Sequence, residues 1–339
     1  MAQKILLTGG AGYIGSHTYV ALIEAGYQVV ILDNFSNARA DVPTRLELIT
    51  GAPVPHHRCD ILDPTAVAAV FAEHDFAAVV HFAAKKAVGE SVLMPLEYIE
   101  VNCAGLLIML KAMRAANVFR LVFSSSATVY AETDVLPIAE TAPLSYTSPY
   151  AYTKLMGEQI LAQVAASDPR WAFGVLRYFN PAGAHGSGLI GEDPRDIPNN
   201  LMPYIAKVAA GDLPALQVFG NDYPTPDGTG VRDYVHVEDL ARGHLLSLNA
   251  LFAEARSHTV NLGTGVGYSV LDMLAAYSRA CGRDLPYQIG PRRPGDLAAY
   301  YGDPRQAETT LGFHAELGLD AMCASSWNWI SCRRNRTEA

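Results

Sequence analysis

The chain has 339 residues, half of them hydrophobic, and 34 acidic residues against 25 lysines and arginines give a net charge of −9. Such a chain can bury a large core and is expected to form two domains. The negative charge argues against nucleic acid or an anionic membrane as a partner. Five scattered cysteines without a CxxC pair, and the lack of a signal-peptide core or membrane-length apolar run, predict a soluble, cytoplasmic protein with reduced thiols.

Short apolar runs alternate with longer helical patterns through the first half of the chain. Strands that are apolar at nearly every position and separated by helices predict a parallel sheet covered on both faces. The predicted fold is therefore α/β, a doubly wound parallel sheet. The predicted strands are KILLTG, YQVVILD, VPHHRCD, AAVVHF, RLVFSS and FGVLRYF, and the predicted helices lie near 13–25, 64–74, 96–116 and 150–166.

The amino-acid composition of the sequence changes after Phe179. Residues 180–232 are rich in Gly, Pro, Asn and Asp, which predicts loops, where ligand contacts concentrate. A helix (VEDLARGHLLSLNALF), a strand (TVNLG) and a second helix (SVLDMLAAYSRACG) follow and indicate a smaller α/β lobe. We therefore divide the chain into residues 1–180 and 181–339, with part of 234–264 a candidate to return to the first domain.

The first predicted strand runs directly into TGGAGYIGSH, where Gly9, Gly12 and Gly15 precede a helix. Glycines at this spacing permit a tight turn, close approach of a pyrophosphate and close packing of helix on strand. A plain strand-to-helix turn would also use them. Asp33, at the end of the second strand, can bind an adenosine ribose and repel the extra phosphate of NADP, so we expect NAD. Asp60 is a candidate for the adenine edge or a solvated acid.

The HHRC run contains His56, His57 and Cys59, which are metal-ligand types. It lies within a predicted strand, and no second group of metal-ligand residues with matching spacing is seen in the sequence. We therefore expect these residues to be structural and predict no metal site.

Tyr150 and Lys154 lie four residues apart at the start of a predicted helix, so they share a face. A free tyrosine has a pKa of about 10, and a nearby lysine together with a cationic nicotinamide ring would favour its phenolate, making Tyr150 a candidate general base. Taken alone, a YxxxK pair occurs by chance on many helices. Ser126, in SSSATVY at the carboxyl end of a predicted strand, is either a hydroxyl donor to substrate or part of an ordinary turn.

The sequence resembles the extended short-chain dehydrogenase/reductases, and within them the UDP-glucose (UDP-galactose) 4-epimerases, over nearly its whole length. The resemblance is carried by TGGAGYIGSH, LDNFSN, HFAAKKAVGES, FSSSATVY, SPYAYTK, LRYFNPAGAH, GEDP, IPNNLMPY, FGNDYPTPDGTGVRDYVHV, NLGTGVGYSVLDM and PRRPGDLAAYY. It implies a Rossmann-type NAD-binding domain followed by a smaller domain that binds a UDP-sugar. It also implies a homodimer, through helices near 96–116 and 150–166.

The resemblance assigns roles to individual residues. Tyr150 is implied as the base, Lys154 as its ribose-binding partner, and Ser126 as a hydrogen-bond donor. The implied NAD contacts are Gly9, Gly12, Tyr13, Ile14, Gly15, Asp33, Asn34, Asp60, Ile61, Phe82, Lys86, Tyr150, Lys154 and Tyr178. The implied UDP-sugar contacts are Ser126, Tyr150, Asn180, Asn200, Leu201, Phe219, Arg232, Arg293, Asp296 and Tyr300.

The implied reaction interconverts UDP-galactose and UDP-glucose by reversible hydride transfer at C4 to bound NAD, through a 4-keto intermediate. Independently of the resemblance, Arg232 and Arg293 are forked donors suited to phosphate oxygens, although each alone could be a surface charge. Tyr300 aligns with a position where a bulky side chain limits the sugar pocket. We therefore expect UDP-glucose and UDP-galactose to be preferred over N-acetylated sugars.

Two alternatives remain. A nucleotide-sugar 4,6-dehydratase shares the fold, NAD and YxxxK, but usually carries an acid pair where this chain has Ala127 and Thr128. A non-catalytic NAD-binding protein on the same fold tends to lose the tyrosine or the lysine, and this chain keeps both. Fold alone would not separate these functions.

Overall fold

The computed structural model describes residues 2–194, 200–293 and 295–338. The strands are β1 (Lys4–Thr8), β2 (Gln28–Asp33), β3 (His56–Arg58), β4 (Ala78–His81), β5 (Arg120–Ser126), β6 (Ala172–Tyr178), β7 (Asn180–Ala182), β8 (Leu216–Phe219), β9 (Val231–His236), β10 (His258–Leu262), β11 (Gly267–Ser269), β12 (Tyr287–Gly290) and β13 (Ala299–Tyr300).

In the first half of the chain a helical segment separates each strand from the next, up to β6. The helices are α1 (Tyr13–Glu24), α2 (Val42–Thr50), α3 (Pro64–Glu73), α4 (Val88–Leu93), α5 (Pro95–Ile99), α6 (Gly105–Ala115), α7 (Pro149–Ser167), α8 (Leu201–Ala210), α9 (Val237–Glu254), α10 (Val270–Cys281), α11 (Arg305–Leu311) and α12 (Leu319–Glu338). A π-helical turn, Glu100–Ala104, joins α5 to α6, so the helix predicted at 96–116 is interrupted.

Seven strands form one large sheet in the order β10-β6-β5-β4-β1-β2-β3. Every neighbouring pair is parallel. The predicted doubly wound α/β fold is therefore confirmed. β10, from the second half of the sequence, lies beside β6 and completes this sheet.

Alternate residues of the central strand serve two separate cores. Ile5 and Leu7 of β1 pack on one face with side chains of α1 and α9, whereas Leu6 packs on the other face with side chains of α3 and α6. Burial on both faces explains why these strands are apolar at nearly every position.

The second lobe is built around two smaller sheets. β9 lies between β11 and β13 and also pairs with β7, while β12 pairs with β8. Its core comes from α8, α10 and α12, with Ile205, Met273, Tyr277 and Met322 fully enclosed. Because β9 lies between several elements, the residues it carries are held from both sides.

The structure corrects the prediction that residues 180–232 are loops. This stretch contains β7, α8 and β8 and the first residues of β9; residues 195–199, also within it, lie outside the described residues. The apolar positions of α8 pack on α10 and α12, which a reading of Gly and Pro content does not reveal. Residues 331–338 form the last part of α12. Among the described residues, no helix combines the length and apolarity needed to cross a bilayer.

Candidate active site

The glycine loop after β1 is shaped by close backbone contacts. Gly9 has a positive φ of 66°, and a Cβ there would lie 2.7 Å from the Ala83 amide nitrogen. A Cβ on Gly15 would lie 2.3 Å from the Gly9 carbonyl oxygen. Gly12 is the N-cap of α1 and offers no side chain to its amide groups. The loop therefore leaves a helix N-terminus without a side-chain cap, the arrangement that binds phosphate.

Asp33 lies at the end of β2, next to this loop, and is 8% exposed. Its two carboxylate oxygens accept hydrogen bonds from the backbone amides of Ala11, at 3.1 Å, and Phe35, at 2.8 Å. Burial raises the pKa of Asp33, and the two amide hydrogen bonds oppose that rise. Since a carboxylate oxygen has more than one lone pair, each can also accept from a ribose hydroxyl.

Asn34 and Asp60 lie together beyond the ends of β2 and β3. The Asn34 amide donates to the Asp60 carboxylate at 2.9 Å. The other Asp60 oxygen accepts from the Leu62 amide, so Asp60 is held by defined partners at the predicted adenine position.

Glu192 brings together two residues that were assigned to different ligands. One of its oxygens accepts from Lys86 Nζ at 3.0 Å and from the Asn200 amide at 3.2 Å. Lys86 is a predicted NAD contact and Asn200 a predicted UDP-sugar contact. Glu192 itself was not singled out from the sequence, although it lies within the GEDP motif. It joins the two halves of the site.

Tyr13 makes a second connection across the site. Its hydroxyl donates to the Gly183 carbonyl oxygen at 2.7 Å, which links the first residue of α1 to the segment after β7. Burial raises the pKa of Tyr13 well above its ordinary value, so it remains a neutral donor.

Ser126 and Tyr150 are brought together by β5 and α7. Ser126 ends β5 and its Oγ accepts from the backbone amide of Thr128, while Tyr150 lies in the first turn of α7 and is 9% exposed. Burial raises the pKa of Tyr150, and a hydrogen bond with Ser126 opposes the rise. In the protein without a cofactor, burial disfavours the phenolate form of Tyr150. The lowering of the Tyr150 pKa by Lys154 and a cationic nicotinamide ring therefore stays a prediction.

Lys154 lies one helical turn from Tyr150 and is almost fully buried. Its Nζ is 5.8 Å from the centre of the Tyr150 ring and donates to the Ser124 carbonyl oxygen at 2.7 Å. Burial lowers the pKa of Lys154 to about 8, opposed by the nearby Cys103 and Glu158. The hydroxyl of Tyr178 is hydrogen-bonded to Ser124 Oγ, so Ser124 joins Tyr178 to the lysine.

A buried ion pair lies one further turn along α7 and was missed from the sequence. Glu158 accepts from Arg177 at 2.6 and 3.0 Å and from Ser125 Oγ at 2.5 Å. Glu158 follows Lys154 by four residues, so the helical spacing was a signal for it. It anchors the Lys154 side of α7 to β5 and β6.

The two predicted anion-binding arginines are both held in place. Arg232 donates to Asp296 at 3.1 Å and to the carbonyl oxygens of Val231 and Leu297. The guanidinium of Arg293 lies 3.9 Å from the centre of the Phe219 ring, so two predicted substrate contacts touch one another.

Tyr300, in the second lobe, contacts the residue that follows Ser126. Its hydroxyl donates to the Ala127 carbonyl oxygen at 2.6 Å, and its ring centre is 5.8 Å from that of Phe179. Burial raises its pKa. The ring therefore stands beside the strand end that carries Ser126, where a pocket wall is expected.

The other predicted ligand contacts lie around the site, and among the described residues no hydrogen bond joins them to one another. Asn180 donates to the Asp233 carbonyl oxygen at 2.9 Å, and Leu201 is the first residue of α8. Ile14, Ile61 and Phe82 pack their side chains against the cores beneath the site.

These observations fit a bound dinucleotide. The glycine loop has backbone spacings that a Cβ at Gly9 or Gly15 would close, and α1 presents amide groups to an anion. Asp33, at the end of β2, stands where a ribose hydroxyl would be bound. Tyr178 ends β6, on the other side of β1 in the same sheet, and Lys154 is joined to it through Ser124. The site can therefore hold NAD at the carboxyl ends of the parallel strands, the usual binding edge of such folds.

Residues 5–263 match the NAD dependent epimerase/dehydratase family. The chain therefore belongs to that family. A UDP-glucose 4-epimerase from Bacillus subtilis (strain 168) is 53% identical over 333 residues, which cover 98% of each protein. The resemblance stated from the sequence is thereby confirmed.

Two crystal structures of similar proteins carry ligands. The UDP-glucose-4-epimerase from Stenotrophomonas maltophila, with bound NAD and formylated UDP-arabinopyranose, is 49% identical with a TM-score of 0.97, covering 99% of this chain and 100% of that one. The UDP-glucose 4-epimerase from Bifidobacterium longum, in complex with NAD+ and UDP, is 50% identical with a TM-score of 0.92, covering 98% and 99%.

Proposed function

We propose that this chain is an NAD-dependent isomerase that interconverts UDP-galactose and UDP-glucose through a 4-keto sugar. The carrying observation is the grouping of Ser126, Tyr150 and Lys154 beside a dinucleotide-binding loop, in a chain half identical to UDP-glucose 4-epimerases over its full length. Its place is in galactose and carbohydrate metabolism.

In this proposal Tyr150 takes the proton from the sugar 4-hydroxyl and later returns it. Ser126 donates a hydrogen bond to the same oxygen while it becomes a carbonyl. NAD, when bound, accepts the hydride from C4 and returns it to the opposite face after the sugar has turned.

Lys154 has an electrostatic part in this step. Burial disfavours the Tyr150 phenolate, so a positive charge nearby must offset that cost. The pKa of Lys154, about 8, leaves it mostly protonated at neutral pH despite its burial. Its bond to the Ser124 carbonyl keeps the ammonium beside the Tyr150 ring.

Inversion requires a firm hold on UDP and a loose hold on the hexose. Arg232, fixed by Asp296, and Arg293, stacked on Phe219, are suited to the diphosphate and the base. Three further predicted UDP-sugar contacts come from this half: Asn180 lies in β7, Asn200 is the N-cap of α8, and Leu201 is the first residue of α8. In this division residues 1–180, together with α9 and β10 on the same sheet, form the NAD-binding domain, and the rest of residues 181–339 binds the UDP-sugar.

The direct test is proton NMR of UDP-galactose incubated with the purified protein, following the anomeric signals without added NAD. We expect UDP-glucose to accumulate toward a fixed ratio without net reduction of the cofactor. If nothing changes, the measurement is repeated with NAD supplied. A silent repeat, or a 4-keto-6-deoxy product, would overturn the proposal in favour of another substrate or a 4,6-dehydratase.

The base assignment has its own test. Tyr150→Phe keeps the ring and removes the hydroxyl, so we expect NAD to remain bound while turnover falls by roughly 10²-fold or more. Retention of most of the turnover would overturn the role of Tyr150.

We further propose a cytosolic homodimer. The five cysteines are free thiols, as is typical of reducing compartments. The outer face of α4 to α6 exposes a row of apolar side chains, which is typical of a covered surface. These are Val88, Val92, Leu93, Met94, Leu96 and Leu107.

The oligomeric state can be tested by sedimentation of matched variants. Leu96, 76% exposed on α5, and Leu48, 69% exposed on α2, are the same residue type at similar exposure on different faces. We expect Leu96→Glu to sediment as a monomer and Leu48→Glu to remain dimeric. A dimeric Leu96→Glu variant would exclude this face as the interface.

A further inference from the structure

Three side chains with metal-ligating atoms meet where the edge strand β3 faces the end of α3, and none of them is a predicted NAD or UDP-sugar contact. His57 lies on the edge strand β3, Glu73 is the last residue of α3, and His74 follows it. The Nε2 atoms of the two histidines are 2.9 Å apart, and Glu73 Oε2 is 3.7 Å from His57 Nε2. One ligand atom from each of the three residues lies within 4.8 Å of the others.

These distances match the needs of a transition-metal ion. Imidazole nitrogens bind these ions at about 2.0–2.1 Å, which places two of them about 2.9 Å apart at the right angle of a tetragonal Cu²⁺ site and about 3.3 Å apart at the tetrahedral angle of Zn²⁺. Any two ligand atoms can be at most about 4.2 Å apart. The Glu73 side chain is 61% exposed, so it can rotate to bring its carboxylate within that limit.

We propose that His57, His74 and Glu73 form a binding site for a divalent transition-metal ion of the zinc and copper class. Two imidazoles and a carboxylate are a donor set that these ions accept, and exposure leaves room for water in the remaining positions. The additional ligands that the HHRC run needs, Glu73 and His74, come from the end of α3, so the run itself gave no sign of them. Of that run, His57 is the member that contributes, since His56 is bonded to the Val54 carbonyl and Cys59 is buried in the core.

Without a metal, the same two nitrogens share a proton. One ring donates from Nε2 to the other, and on metal binding the donating ring must carry its proton on Nδ1 instead. A bound ion would therefore replace this hydrogen bond and tie the edge strand β3 to the end of α3.

The surrounding charges make a further test available. Lys4 lies close enough to His74 for its positive charge to act on the imidazole ring. The same charge repels a cation. Lys4 begins β1, whereas the glycine loop follows the other end of that strand, so Lys4 itself lies away from the loop. We expect Lys4→Gln to bind metal more tightly than the parent.

The test is calorimetric titration of Zn²⁺ into the untagged, chelator-treated full chain. We expect one ion per chain at this site, and an affinity at least about tenfold weaker in His57→Gln and in His74→Gln. Each glutamine variant should keep its fold by circular dichroism and its turnover. His314→Gln is the matched control, because His314 is exposed and 3.5 Å from Glu308 but far along the chain.

A second measurement identifies the ligands directly. Electron paramagnetic resonance of the Cu²⁺-loaded protein should show coupling to two imidazole nitrogens, and His74→Gln should lose one of them. Unchanged zinc affinity in both glutamine variants, or a copper spectrum that neither variant alters, would overturn the proposal.

Discussion

Glu158→Gln tests whether the buried ion pair on α7 supports the candidate active site. Glu158 and Arg177 have side-chain exposures of 9% and 6%, and the carboxylate accepts three hydrogen bonds. Burial lowers the pKa of Arg177, but the Glu158 ion pair more than offsets this and leaves the pKa raised. The isosteric amide keeps the volume, removes the charge and turns a donor toward Arg177.

The expected magnitude follows from leaving a buried guanidinium uncompensated. Breaking one side of such a pair costs about 3–5 kcal/mol of unfolding free energy. At roughly 2 °C per kcal/mol for a chain of this size, the Tm should fall by about 6–10 °C. Because the Glu158 carboxylate raises the pKa of Lys154, its loss should also move the alkaline limit of turnover to lower pH.

The assay is denaturant unfolding together with a pH profile of turnover. Glu158→Leu combined with Arg177→Met is the companion variant, because it removes both charges and should recover most of the lost stability. A single variant within about 1 kcal/mol of the parent, or a double variant less stable than the single one, would refute the reasoning.

Three further outcomes are expected. Gly15→Ala places a Cβ against the Gly9 carbonyl oxygen, so the purified variant should carry much less NAD by absorbance than the parent. Equal NAD content in variant and parent would contradict the role of the glycine loop in binding NAD. Tyr300→Ser replaces the aromatic ring beside the end of β5 with a small side chain and should raise turnover of UDP-N-acetylglucosamine relative to UDP-glucose, measured by NMR. An unchanged ratio of the two rates would show that a residue other than Tyr300 limits the size of the accepted sugar. The folded-state pKa of Lys154, about 8, lies below its ordinary 10.5, so the unfolded chain binds more protons between those values and stability rises with pH there. Lys154→Met should flatten that rise in unfolding experiments at about pH 7.5 and 9.5, and an unaltered slope would contradict the low pKa.

The first half of the fold was predictable because its strands, apart from the exposed edge strand β3, are buried on both faces. β1, β2 and β4 to β6 appear in sequence as continuous apolar runs, and helices fill the intervals between them. The sequence likewise predicted Ser126 at the carboxyl end of a strand and Tyr150 at the start of a helix, and both predictions agree with β5 and α7.

Residues 180–232 were less predictable because their strands are short and their helix is stabilised by tertiary contacts. α8 has its apolar face against α10 and α12, and its flanking Gly, Pro and Asn residues dominate the local pattern. Likewise, the Glu192 contacts to Lys86 and Asn200 join positions far apart in the chain. Such pairings depend on tertiary structure, and one sequence does not contain a local signal for them.

The position of β10 has a consequence for synthesis on the ribosome. The six strands up to β6 emerge first, but β6 remains an open sheet edge until residues 258–262 have been made and can pair with it. α9, which packs on the same core, also arrives late. A nascent chain that stops near residue 180 therefore presents an unpaired, apolar strand, and we expect it to need shielding by a chaperone until the rest of the polypeptide follows.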